Sequence, residues 1–242
     1  MTSTISIRES IRWIPEEGGE PTDTVVLIGG ISSIFLDVRF LKESNVLDWG
    51  IAGYRSNGNK NVTKFTHSID SRDSSEEVVD YGYNTELPDG TILEKGEMVN
   101  PATGKMTAYE EVWRDEHPTD NKTLLLRNLA QTSWYGHVGG WQLALGRDSR
   151  GVFWAIQARM VDRKWEVIHA TRSGVTLLPE DTSKWVEGSE VEWNGDQWLV
   201  LEKEPVKEQV VHKMIRHTIF KCHYAVQIKD LYVLSVRIVS GS

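Results

Sequence analysis

From Ile5 to Glu202 the chain is a succession of short apolar runs that alternate with polar residues and stop at glycine, proline or asparagine. A period of two in short segments is the mark of half-buried β-strands. Residues 5–14 form such a run and end at Pro15; residues 24–28 end at Gly29-Gly30; residues 34–41 follow. Within the last of these, Asp37 and Arg39 share a face, because side chains two apart on a strand point the same way. Residues 47–54 return as a strand in which Gly50 and Gly53 predict a bulge or sharp bend, and residues 64–70 are the next. Residues 71–80 are polar and acidic and read as a loop.

The middle of the chain holds two turn signals, Pro88-Asp89-Gly90 and Asn100-Pro101 followed by Gly104. Beyond the second, Tyr109, Glu111 and Trp113 alternate with Glu110, Val112 and Arg114, which predicts a strand. Glu110 and Glu111 then face opposite ways, so they suit solvated or salt-bridged roles rather than an acid/base pair.

The second half repeats the plan. Gly139-Gly140 answers Gly29-Gly30, residues 141–145 stand where 35–40 stood, residues 152–159 mirror 47–54, and residues 164–169 mirror 64–67. His67 and His169 fall at matching places. The repeated order predicts two homologous barrels built of antiparallel neighbours, each sheet closing on itself to hide its edges. An Asn194-Gly195 hairpin is expected to close the second. The predicted organisation is all-β: an N-terminal β-barrel domain over 1–95, an irregular bridging segment over 96–120, a C-terminal β-barrel domain over 121–204, and a C-terminal tail over 205–242.

Composition narrows the function. A formal charge of −8 argues against binding nucleic acid through its phosphates. Residues 206–242 depart from the rest, with six Lys or Arg against Glu208 and Asp230. The single cysteine, Cys222, cannot form an intramolecular disulfide and fits a reducing compartment. No apolar run reaches signal-peptide or membrane-spanning length, so a cytoplasmic or nuclear protein without a membrane partner is expected. Ten tryptophans predict a core rich in indoles.

The run Gly96-x-Met98-x-Asn100-Pro101-x-Thr103-Gly104, followed by Tyr109-Glu110-Glu111-x-Trp113-Arg114-Asp115, resembles the fungal Hri family, proteins named for association with a casein-kinase-I-type kinase. Supporting segments include Leu47-Asp48-Trp49-Gly50, Ser68-Ile69-Asp70-Ser71-Arg72 and Gly139-Gly140-Trp141-Gln142-Leu143-Ala144-Leu145. The likeness covers residues 5–204. It implies two lipocalin-like β-barrels, a cytoplasmic or nuclear protein and no established enzymatic activity. No catalytic residue follows from it.

The residues themselves suggest no catalytic centre and no cofactor. The paired glycines lack the further residues of a nucleotide motif, and no serine nucleophile elbow is present. His212, His217, Cys222 and His223 have metal-like composition but match no zinc spacing, so no metal is expected. Ser74 and Ser75, in an acidic loop, are candidate phosphorylation sites. The expected function is non-catalytic binding of a protein partner, a casein-kinase-I-type kinase. The alternative is a carrier or noncovalent isomerase or cyclase for an apolar small molecule, with Trp49, His67, Trp141, Trp154, Asp37 and Arg39 as ligand-binding residues.

Overall fold

The computed structural model describes residues 2–58, 61–72, 79–118 and 122–204. Ser74, Ser75, the tail over 205–242 and its His212, His217, Cys222 and His223 lie outside the described residues. All described regular elements are β-strands.

Eight strands, β1 (Thr4–Trp13), β2 (Thr22–Ile28), β3 (Ile34–Leu41), β4 (Leu47–Asn57), β5 (Val62–Asp70), β6 (Val79–Glu86), β7 (Ile92–Asn100) and β8 (Lys105–Glu116), pair antiparallel in chain order and close into a barrel. Closure depends on β8, which pairs with β7 on one side and with β1 on the other. This corrects the expected bridge over 96–120 and the expected domain end at residue 95. The Asn100-Pro101 segment is a tight turn, in which Gly104 N–H donates to the Asn100 carbonyl at 2.8 Å. A hairpin therefore folds residues 96–116 back onto the barrel, and the barrel runs from Thr4 to Glu116.

Seven more strands, β9 (Thr123–Asn128), β10 (Ser133–Val138), β11 (Trp141–Arg147), β12 (Phe153–Val161), β13 (Lys164–Ala170), β14 (Glu190–Trp193) and β15 (Asp196–Lys203), form a second antiparallel sheet in the order β13-β12-β11-β10-β9-β15-β14. The β14–β15 hairpin turns at Asn194-Gly195, both with positive φ, as that dipeptide predicts. It extends the sheet without closing it, since β13 and β14 are its two ends. The irregular segment between β13 and β14 packs Val175, Leu177, Leu178 and Trp185 onto the sheet instead, which makes the second body barrel-like. The repeat read from the sequence is visible as β2–β5 and β10–β13, with Gly29-Gly30 and Gly139-Gly140 at corresponding hairpins.

Apolar packing lies in three layers. One fills the barrel with Val26, Ile28, Phe35, Trp49, Ile51 and Trp113. The second lies between the barrel and the sheet, where Leu27, Leu36 and Phe40 meet Leu125, Trp134 and Leu143. The third covers the far side of the sheet, where Tyr135 stacks edge-on against Trp193 and Trp198 at 4.9 and 5.2 Å. Strands β2 and β3 are thus buried on both faces, which is why their apolar runs are nearly continuous. Polar side chains reach across as well: buried Gln157 on β12 donates to the Val38 and Asp23 carbonyls at 2.7 and 2.9 Å.

Candidate functional site

Strand alternation aims Asp37 and Arg39 of β3, and Tyr109, Glu111 and Trp113 of β8, at the barrel axis. With Trp49 of β4, His67 of β5, Asp80 of β6 and Glu94 of β7 they wall a chamber of ≈ 90 Å³. A wider groove of ≈ 580 Å³, around Arg55, Asp115 and His117, lies at one end of the barrel, and Ile28 lines both spaces.

Every cation of the chamber wall is held by two carboxylates. Arg39 donates to Asp37 at 2.7 Å and to Glu111 at 3.3 Å. Arg8, also buried, donates to Glu111 at 2.5 Å and to Glu20 at 2.8 Å. His67 lies 2.9 Å from Asp70 through Nδ1 and 3.2 Å from Asp80 through Nε2. Burial alone would lower the basicity of Arg39, but the charges of Asp37 and Glu111 reverse this and hold it above its ordinary value. Burial likewise works against protonation of His67; its bonds to Asp70 and Asp80 outweigh it and push the imidazole up to about 9. Trp49 ties the two clusters together, since its Nε1 donates to Asp70 at 2.8 Å and the Arg39 guanidinium lies 4.9 Å from its ring centre.

Glu94 is different. It faces no cation at bonding distance among the described residues, and its one hydrogen bond is accepted from Tyr109 Oη at 3.0 Å. Two glycines make room for the pair: a Cβ at Gly82 would stand 2.5 Å from the Glu94 carboxyl carbon, and one at Gly96 would stand 2.6 Å from Tyr109 Oη. Burial, and then the charge of Glu111, push the Glu94 carboxyl up to about 8. The same burial, with Glu94 and Glu111 close by, raises the Tyr109 phenol.

The family model described as Protein HRI1 matches residues 4–202. The chain belongs to the HRI1 family. No curated protein sequence matches it significantly. Among solved structures, the crystal structure of the uncharacterized protein YLR301w from Saccharomyces cerevisiae superposes with a TM-score of 0.68 at 16 % identity, covering 85 % of this chain and 100 % of that one. At that identity the likeness shows the fold alone, and the all-β architecture agrees with it.

Of the residues read from the sequence as ligand-binding, the HRI1-family barrel brings Asp37, Arg39, Trp49 and His67 to one chamber. It does not bring Trp141 or Trp154 there. Trp141 packs between barrel and sheet with Arg159 over its ring at 5.2 Å, and Trp154 belongs to the far layer with Arg172 over it at 4.3 Å. His169, the counterpart of His67, stacks on Phe40 and bonds Asp23 and Asn45 of the barrel. Sequence reasoning missed Arg8, Glu94 and Trp113. Glu111 carried a signal, as it alternates with two aromatic residues. Glu110, one position away, is on the outside and pairs with Arg12 and Lys95. Among the described residues no group of His, Cys, Asp and Glu side chains is arranged to hold a metal ion.

The wall titrates in a definite direction. Folded His67 keeps its proton to about pH 9, whereas the unfolded chain releases it near 6.5. The folded state then binds more protons across that window, so this stabilisation is complete below pH 6.5 and lost as pH rises through 9. Glu94 has the same sign lower down, keeping a proton to about pH 8 that the unfolded chain gives up near 4.5. Urea unfolding is expected to show stability falling continuously between about pH 6 and pH 9. Glu94→Gln should flatten the lower part of the slope and His67→Gln the upper part; stability independent of pH would refute the assignment.

Proposed function

We propose that this protein is a non-catalytic cytoplasmic or nuclear binding protein whose partner is a casein-kinase-I-type kinase, docked along the open edge of the second sheet. The interiors favour such a role over carriage of a metabolite. The chamber is well under the ~300 Å³ usual for small-molecule sites, and the second body is filled by its own aromatic rings. The choice of a kinase comes from the resemblance carried by the Asn100-Pro101 and Tyr109–Asp115 motifs.

The observation that carries the reading is β13. It is an end strand of its sheet, and two successive apolar residues on it, Val167 and Ile168, are 43 % and 42 % exposed. Their adjacency follows from a bulge: Gln157 pairs with His169 and Ala158 with Val167, which leaves Ile168 as the extra residue. Natural proteins usually blunt free strand edges, and an edge carrying apolar side chains suits addition of an extended segment from a partner.

The test is direct binding of a recombinant casein-kinase-I-type kinase to the purified chain. Val167→Lys/Ile168→Lys should weaken binding at least about tenfold without changing the melting temperature, since both side chains already meet solvent. A kinase that does not bind the wild type, or binds the double variant equally well, overturns the proposal.

A further inference from the structure

The alternation that turns Trp49 and Ile51 of β4 and Glu111 and Trp113 of β8 into the chamber does not stop at its end. Further along the same faces it brings Arg55 and Asn57 of β4, Asp115 of β8 and Thr4 of β1 to the barrel mouth, where with Ser33 and His117 they line the groove of ≈ 580 Å³. Such a volume is in the range of small-molecule sites, which the chamber does not reach. Among the described residues Ile28 is the one large apolar side chain of the lining, so the groove suits a polar guest.

Arg55 differs from the other arginines that are withdrawn from solvent. Among the described residues these are Arg8, Arg39, Arg127 and Arg147, and each donates to an oxygen, of Glu111, Asp37, Gln131 and Asp70 in turn. The half-buried Arg55 guanidinium has no hydrogen bond, ion pair or ring contact there. Asp115, on the same groove, has no cation at ion-pair distance either; its side chain accepts one hydrogen bond, from Ser6 Oγ at 2.5 Å. The two charges feel each other, since burial lowers the basicity of Arg55 and the field of Asp115 works against that loss, yet they do not meet. The rim between them is fixed before any guest arrives. Glu202 holds the Gly30, Ile31 and Ser32 amides, and the next residue, Ser33, has positive φ and accepts from the Arg55 backbone N–H at 2.8 Å. A rim already ordered spares a guest the cost of ordering it.

We propose that the mouth groove binds a small polar zwitterion of the α-amino-acid type, its carboxylate on the Arg55 guanidinium and its ammonium on Asp115. A guanidinium offers parallel N–H groups that match the two oxygens of a carboxylate. A carboxylate accepts and does not donate, so Asp115 takes the ammonium. A guest with one charge would leave the other side of the groove unanswered. Ser33 and Asn57, whose side chains bond no described residue, remain for the polar side chain of the guest. Nothing covalent occurs. This inference does not depend on the docking edge of β13, and its test is separate from the kinase test.

The probe is L-glutamine, titrated into the full chain at neutral pH and low ionic strength, where exposed charges are least screened, and followed by the amide resonances of Ser33, Arg55 and Asn57. One site per chain is expected, with a dissociation constant of about 1 mM or below. N-acetyl-L-glutamine, which lacks the ammonium, and L-glutamine amide, which lacks the carboxylate, should each bind at least about tenfold more weakly. The variants cross with these analogues. Asp115→Asn should weaken L-glutamine about tenfold and leave N-acetyl-L-glutamine unchanged, whereas Arg55→Gln should weaken L-glutamine about tenfold and leave the amide unchanged. Should a variant not fold, the ranking of the three compounds on the wild type decides alone. No binding of L-glutamine at ~10 mM, equal binding of either blocked analogue, or L-glutamine binding that both variants keep overturns the proposal.

Discussion

Glu111→Ala is expected to lower the unfolding free energy by ~3–5 kcal/mol, as removal of one member of a buried ion network does. Glu111 is 2 % exposed and is the one carboxylate bonded to both Arg8 and Arg39. Without it two guanidinium groups lose a counter-charge in a place water reaches poorly, and Asp37 and Glu20 are left to hold them singly. Glu111→Gln keeps an acceptor of the same shape and should cost distinctly less, ~1–2 kcal/mol. The two variants share a second signature. Because the charge of Glu111 is one of the causes that raise Glu94, both should bring the Glu94 carboxyl back toward the ordinary carboxylate range. Urea midpoints measured across pH read both effects at once; a loss of stability below about 1 kcal/mol for Glu111→Ala would show that the network carries little.

Glu202→Ala is expected to cost ~3 kcal/mol through a different mechanism. Glu202 sits on β15, fully buried, and its carboxylate accepts from three successive backbone N–H groups in the β2–β3 loop: Gly30 at 2.9 Å, Ile31 at 3.3 Å and Ser32 at 2.8 Å. Ser32 Oγ and Ser3 Oγ donate to it too. It pins the barrel to the second sheet at the paired glycines. Its removal leaves the Ile31 and Ser32 amides without an acceptor and Gly30 with only the longer bond to Ser3 Oγ at 3.3 Å, and donors bonded to a charged group are the ones most costly to strand. Glu202→Gln, which presents one acceptor oxygen instead of two, should fall between. Hydrogen exchange at Gly30, Ile31 and Ser32 is the local readout, and it should accelerate in Glu202→Ala. Unchanged exchange at those amides would rule out the pinning role, whatever the global stability.

The alternation that marks the strands was readable residue by residue, and so was the hairpin at Asn194-Gly195. Both depend on interactions between near neighbours in the chain: the two-residue period of side chains and the positive φ tolerated by asparagine and glycine. Misplacing the bridge at 96–120 has a physical cause. A turn such as Asn100-Pro101 with Gly104 looks the same in sequence whether it separates two domains or joins two strands of one barrel, and only the pairing of β8 with both β7 and β1 tells these apart.

The chamber shows the same division. Asp37 and Arg39 were placed on one face by their spacing, and Glu110 and Glu111 on opposite faces by theirs; the structure has all four so arranged. That the face of Asp37 and Arg39 is the inside of a barrel, with Arg8, Glu111 and Glu94 converging on it from strands far apart in the chain, no local rule could supply. The same holds for Glu202, which continues the buried series Trp198 and Val200 on β15 but gains its partners from a loop some 170 residues earlier. Sequence alone determined which segments are strands, where several of them turn and which side chains travel together on one face. Tertiary structure alone decided which face became interior and which charges met, because the desolvation and pairing that give buried ions their energies exist only once distant strands have closed around them.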